Sequence, residues 1–239
     1  MRCGPASLKA AGLGVGMTLA SCSTFGMPEG ASRQGMEIAS LWRVLFVASI
    51  FVAVVVYGLI FWTLIRYRHR GRDDVPSPFR QNLRVEAIYT AVPIVIVVVL
   101  WALSYRTEQR VLALTDRPDL TVEVEAFAWG WRFTYPDHGI TIATASIHEP
   151  PQLVLPAQRT TRVRLTSVDV IHAFYVPELL FKRDAVPGLE QEFDLFPVRL
   201  GTFPGVCAEF CGLNHAYMGF GVRVVTPEVF EAWVAGHER

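Results

Sequence analysis

Two stretches of this chain carry no charged residue over lengths that a soluble core seldom needs. Val44 to Ile65 is one, at 22 residues, and Ala87 to Tyr105 is the other, at 19. About 20 apolar residues in a helix cross a hydrocarbon core of about 30 Å. Trp42 and Trp62 fall near the ends of the first run, where interfacial anchors sit. Pro93 lies near the start of the second and would kink it, a defect that neighbouring helices can accommodate. A mean hydropathy of +0.32 with only 18% charged residues fits the same reading. The two runs predict a helical hairpin over residues 42–106.

Orientation follows from the segment between them. Arg66, Arg68, Arg70, Arg72, Arg80 and Arg84 crowd it against only Asp73 and Asp74. The excess of arginine in a short connection puts a loop at about 66–84 in the cytoplasm and both termini outside. Residues 1–21 have the form of a bacterial export signal, with Arg2 and Lys9 before an apolar stretch. Leu19-Ala-Ser-Cys22 resembles a lipobox, which would make Cys22 a lipidated mature N-terminus; cleavage after another small residue is the alternative. Residues 22–41 then form an external segment before the first span.

From Thr107 onward the pattern changes. Thr121-Val-Glu-Val-Glu-Ala-Phe and Thr161-Arg-Val-Arg-Leu-Thr alternate apolar and polar, with Pro and Gly between such runs. Gln191-Glu-Phe-Asp-Leu-Phe and Gly219-Phe-Gly-Val-Arg-Val-Val add two more strands, and a short helix is expected from Pro227. Short strands at this spacing predict a Greek-key β-sandwich over residues 107–239, a usual size for one domain. This half holds 17 acidic against 11 basic residues, a net of −6, although the whole chain is neutral. Nothing in this balance favours nucleic acid; an acidic external surface suits a basic partner.

The densest chemistry lies in Cys207-Ala-Glu-Phe-Cys211-Gly-Leu-Asn-His215-Ala-Tyr-Met218. Thiolate, imidazole and thioether donors select copper or zinc over magnesium or calcium, and the thioether favours copper. A mononuclear blue-copper site needs one Cys, so two suit a dinuclear centre with bridging sulfurs. A second imidazole is required, and His172 is the candidate. Each residue alone has a plainer reading. A C-x3-C pair outside the cytoplasm is more often a disulfide or half a zinc site. His172 could be a strand-end residue and Met218 core filler. The joint set at fixed spacing outweighs these.

Cys207-x-Glu209-x-Cys211-x-x-x-His215-x-x-Met218, with Asp169-x-x-His172 upstream, resembles subunit II of haem–copper cytochrome c oxidases. The resemblance runs in motif order through the hairpin and the carboxyl-terminal domain. It implies a cupredoxin-like sandwich carrying the dinuclear copper centre CuA. Cys207 and Cys211 would bridge two coppers, and His172 and His215 would each take one. Met218 and the Glu209 backbone carbonyl would be weak axial ligands, with the Glu209 side chain reaching a magnesium ion at the border with subunit I. Trp129, in Ala-Phe-Ala-Trp129-Gly-Trp131, matches the point where electrons arrive from cytochrome c or a cytochrome-bearing partner complex. Ala128 and Gly130 depart from the usual Gln and aromatic there, which would loosen the surroundings of Trp129; Trp131 reads as core packing. Glu86, ahead of Pro93, matches an acidic residue at the cytoplasmic mouth of a proton channel, or is a plain interfacial glutamate at a helix start.

The implied function is electron acceptance for oxygen reduction by subunit I, coupled to proton translocation, in a bacterial plasma membrane. A quinol oxidase subunit would lack the two Cys and the His–Met set. A membrane-tethered copper carrier would not need Trp129 or Glu86, and the copper domain of nitrous oxide reductase would not carry this hairpin.

Overall fold

The computed structural model describes residues 27–68, 81–146 and 148–237. The leader with Cys22, and Arg70, Arg72 and Arg80 of the connection, lie outside the described residues. Two units are present: residues 40–108, and a unit formed by the chain up to residue 39 together with residues 109–239.

The first unit holds most of two helices. Helix α1 covers Arg33–Arg66 and α2 covers Leu83–Val111, about 51 and about 44 Å at 1.5 Å per residue. Both outrun the uncharged stretches because their starts are fixed by caps rather than by hydropathy. Ser32 Oγ accepts the Gly35 N–H ahead of α1. Asn82 Oδ1 accepts the Arg84 and Val85 N–H groups ahead of α2. Such caps satisfy amides that the first turn leaves without partners. The apolar windows of both helices are 0% buried within the chain. A surface of this kind is stable only against lipid or protein.

The second unit is a sandwich of two five-stranded sheets. In order, its strands are β1 (Leu120–Phe127), β2 (Gly130–Tyr135), β3 (Ile140–Ala143), β4 (Gln152–Pro156), β5 (Thr161–Ser167), β6 (His172–Val176), β7 (Phe181–Ala185), β8 (Gln191–Leu195), β9 (Gly201–Cys207) and β10 (Gly219–Val225). One sheet runs β3-β2-β1-β5-β8 and the other β4-β10-β9-β6-β7. Strand β1 alternates buried Leu120, Val122, Val124 and Ala126 with outward Thr121, Glu123 and Glu125, as the sequence predicts. The inward faces close on Trp131, Phe133, Phe174, Phe193 and Phe220. Tyr135 ties the two sheets directly: its hydroxyl donates to the Val154 carbonyl and accepts the Val154 N–H. Helix α3 (Pro227–Ala235), capped by Thr226, lays Phe230 and Val234 on the sandwich.

One part of this unit comes from residues at the start of the first helix. Ala31 and Ser32 are fully buried. Ala31 N–H donates to the Glu178 carbonyl, and Val198 N–H donates back to the Ala31 carbonyl. Gln34 spans two backbone groups, its Nε2 donating to the Asp194 carbonyl at 2.9 Å and its Oε1 accepting the Phe196 N–H at 3.1 Å. Residues 31–34, at the start of α1, are therefore a strap built into the sandwich. Gln34→Ala leaves two partly buried backbone groups unpaired and should cost about 2 kcal/mol. Chemical denaturation of the detergent-purified chain would read this as a lower midpoint; an unchanged midpoint would mean that the strap adds no stability.

Candidate metal centre

Cys207 ends β9 and Gly219 begins β10, neighbours in one sheet. The loop between them is closed at its base, where Cys207 N–H donates to the Met218 carbonyl at 3.0 Å. A short 3-10 turn at His215–Tyr217 turns the chain back toward the sheet. On the other side of β9 lies β6, with Phe174 opposite Cys207. That register places His172, the first residue of β6, beside Cys207. Three neighbouring strand ends thus deliver donors that lie far apart in the chain.

The distances describe one cluster. The Cys207 and Cys211 sulfurs are 3.8 Å apart and are free thiols. His172 Nδ1 lies 3.8 Å from Cys207 Sγ, and His215 Nδ1 lies 3.5 Å from Cys211 Sγ. Met218 Sδ is 3.8 Å from Cys211 Sγ, and the Glu209 carbonyl accepts from Cys207 Sγ at 3.3 Å. Cys207, Cys211, His172 and Met218 are buried.

Asp169 sets the orientation of His172. Its Oδ1 lies 2.9 Å from His172 Nε2. A carboxylate can only accept, so Nε2 carries a proton and Nδ1 is the nitrogen that faces the sulfurs. Asp169 also accepts the Ala128 and Val170 N–H groups, each at 2.6 Å. Burial pushes its carboxyl up, but these hydrogen bonds together bring it below the ordinary value.

The thiols are unequal. Burial raises Cys207, but the hydrogen bond to His172 and others to the Ala173 and Glu209 backbones and His215 outweigh it and lower it to about 6. Burial and the adjacent Cys207 charge push Cys211 up to about 12. For His172, burial lowers the value, yet hydrogen bonds to Cys207 and Asp169 leave it raised. Without metal the pair gives up one proton readily and holds the other, since two thiolates this close repel. A soft cation between the sulfurs removes that conflict. Cys207 and Cys211, with His172, His215 and Met218 close by, would hold such a cation. The donor set fits copper.

Trp129 reaches the same loop from the other sheet. Its Nε1 donates to the Cys211 carbonyl at 3.0 Å, and its ring lies over Gly212. Gly212 has φ +115, and a Cβ there would come within 3.2 Å of the indole; only glycine suits both conditions. At Gly130 a Cβ would meet Thr144 and the Phe127 ring at 2.7 and 2.8 Å, so no larger residue fits. Trp129 is held in place despite Ala128 and Gly130. Trp131 is fully buried against Phe174 and Phe220, edge-on to His172.

Two other residues singled out in the sequence lie elsewhere or in other company. The Glu209 carboxylate accepts from Lys182 Nζ at 2.5 Å, and Lys182 also meets Asp184 at 3.1 Å. Glu86 sits in the first turn of α2, its Oε1 accepting the Asn82 N–H at 3.3 Å in a helix-capping arrangement. Sequence reasoning missed the Trp129–Cys211 bond, since no local pattern joins residues 82 positions apart. Asp169 stands in the motif, but its grip on Ala128, 41 positions away, leaves no local signal.

Comparisons with known proteins agree with this geometry. Residues 120–225 match the family described as cytochrome C oxidase subunit II, periplasmic domain, and residues 20–107 match its transmembrane domain. The chain belongs to the cytochrome c oxidase subunit II family. A probable cytochrome c oxidase subunit 2 of Streptomyces avermitilis is 36% identical over 254 residues, covering 90% of this chain and 80% of the relative. Cytochrome c oxidase subunit 2 of Mycobacterium tuberculosis is 30% identical over 283 residues, covering 91% and 77%. The periplasmic domain of subunit II of Bradyrhizobium japonicum cytochrome oxidase is similar at 33% identity and TM-score 0.47, over 52% of this chain and 96% of that one. As a subunit II family member, the chain is a membrane protein with a periplasmic domain.

Asp169→Asn should weaken copper binding about 10-fold to 100-fold by releasing the His172 ring, measured by competition with a copper chelator. The depressed Asp169 carboxyl also adds stability above its unfolded value of about 3.9, and that contribution is lost as pH falls through the native value. Acid unfolding of the metal-free chain should therefore lose part of its pH dependence below about 4 in the variant.

Proposed function

We propose that this chain is the electron-accepting subunit of a cytochrome c oxidase, taking electrons from cytochrome c at a dinuclear copper centre and passing them toward haem in subunit I for oxygen reduction coupled to proton translocation. The observation that carries this reading is the convergence of two thiols, two imidazoles, a thioether and a carbonyl within 3.3–3.8 Å contacts. Cys207, Cys211, His172, His215, Met218 and the Glu209 carbonyl would hold the copper. Copper bound there supplies one-electron redox chemistry.

The chain's own residues supply the rest. Asp169 holds the His172 ring, and the closed loop fixes both sulfurs before metal binds, so little rearrangement accompanies a change of charge. Trp129, hydrogen-bonded to the Cys211 carbonyl, offers a partly buried indole as the point of electron arrival. Burial of the cluster keeps water from the thiols. A magnesium ion at the Glu209 carboxylate, as the family resemblance implies, would have to compete with Lys182 for the same oxygen.

The arginines between the two spans support a bacterial plasma-membrane topology with that connection in the cytoplasm and the sandwich and both termini outside. Subunit I would cover part of the apolar helix surface, and Glu86 would stand at a proton channel only in that assembly.

Copper analysis with EPR of the purified chain tests the reading. Two coppers per chain, with one unpaired electron shared by both nuclei, are expected. One copper with an ordinary four-line pattern would favour a copper carrier, and none would leave the thiols as a disulfide. Trp129→Phe should keep the EPR signal while slowing reduction by cytochrome c more than tenfold, followed by stopped flow.

A further inference from the structure

Trp131 reads from the sequence as core packing, and its side chain is indeed fully buried. The company it keeps is nevertheless that of the metal centre. It stands on β2, in the sheet opposite the one that carries Cys207 and His172. From there the indole packs at 5.0 Å on Phe220 of β10, the strand that follows the ligand loop, and at 6.1 Å on Phe174 of β6. The His172 ring lies edge-on to it at 6.5 Å. Its Nε1 donates to the Met218 carbonyl at 3.5 Å.

A buried indole N–H needs an acceptor, and here the acceptor is the last residue of the ligand loop. The same carbonyl accepts the Cys207 N–H at 3.0 Å, and the Met218 N–H donates to the His215 carbonyl at 3.2 Å. Those two bonds join Met218 to other donors of its own loop and move with it. The bond from Trp131 ties it to the opposite sheet. Trp131 is itself well anchored there, since its N–H donates to Thr144 Oγ1 and its carbonyl accepts the Thr144 N–H, each at 2.9 Å. The Met218 side chain that results is 2% exposed, with Sδ 3.8 Å from Cys211 Sγ.

We infer that Trp131 is a positioning residue for the copper centre, holding the Met218 backbone so that the thioether is presented firmly to the metal, and thereby setting the reduction potential of the centre. This rests on the electron-accepting reading above. A thioether is a soft donor that favours reduced copper, and the potential of copper–thiolate sites follows such a ligand. A Met218 held less firmly favours the reduced form less, so loss of the indole N–H lowers the potential. Plain core packing has a different consequence: a smaller ring would cost stability and leave the potential where it was.

The test is a spectroelectrochemical titration of the copper-loaded, detergent-purified full chain, with EPR and chemical denaturation alongside. Trp131→Phe should keep both coppers and shift the balance between reduced and oxidised centre about tenfold toward the oxidised form, about 59 mV lower for one electron. Phe133→Leu, on the same buried face of β2 and also against Phe220, should lower the denaturation midpoint without moving the potential. In a Met218→Leu background, Trp131→Phe should shift the balance less than about twofold, because the two residues act as one unit. Thr144→Val, a milder change that frees the Trp131 amide, should move the potential in the same direction by a smaller step. An unchanged potential in Trp131→Phe, or in Thr144→Val where Trp131→Phe does not fold, would overturn the inference. So would an equal shift in Phe133→Leu, or a full shift in the Met218→Leu background. A wild-type chain without two coppers sharing one unpaired electron would instead remove the electron-accepting reading.

Discussion

Everything in the β domain is arranged around two thiols held 3.8 Å apart where water is scarce. Left alone the pair is electrostatically awkward, one sulfur driven toward thiolate and the other kept protonated. A fold does not keep such an arrangement for stability, since two apolar side chains of similar size would pack there at no electrostatic cost. It makes sense as a site that a soft cation completes, with both sulfurs becoming thiolates when positive charge lies between them.

The sandwich achieves this with few elements. Antiparallel neighbours β9 and β10 carry the loop, β6 beside them carries His172, and the opposite sheet contributes the turn that carries Trp129. Each donor sits at or next to a strand end, where ladder hydrogen bonds fix the backbone but the side chain can face the cluster. Asp169 then joins the layers, holding the His172 ring with one oxygen and the Trp129 turn with the other. Metal geometry and the position of the indole are thereby linked through a single carboxylate. Residues 31–34 extend the same unit, with Gln34 bonded to the Asp194 and Phe196 backbone.

Charge is used in two ways on this domain. Arginines pair with three carboxylates across the strands of one sheet, Glu125, Glu192 and Asp194, which offsets part of the domain's acidity locally. Near Trp129 the charged groups are few and engaged, Asp169 with His172 and backbone amides and Glu209 with Lys182. Net charge therefore describes the domain as a whole but not the surface at which electrons would arrive, because attraction between partners depends on where charges lie as much as on their sum.

The sequence by itself determined the membrane hairpin, since an uncharged run of about 20 residues has few other destinations. It determined four strands by their alternation, and the loop donors by their spacing, because a loop of twelve residues keeps its own ligands close whatever surrounds it. His172 was legible as the missing imidazole only through the motif. The tertiary structure decided what depends on contacts between distant segments: the strand register that sets His172 beside Cys207, the Trp129 bond to Cys211, the Lys182 grip on Glu209, and the burial of residues 31–34 in the sandwich. It also extended both helices past their apolar runs, through Ser32 and Asn82. Local patterns record what a residue does with its neighbours in the chain; pairing across sheets leaves no such period, so only the folded chain shows it.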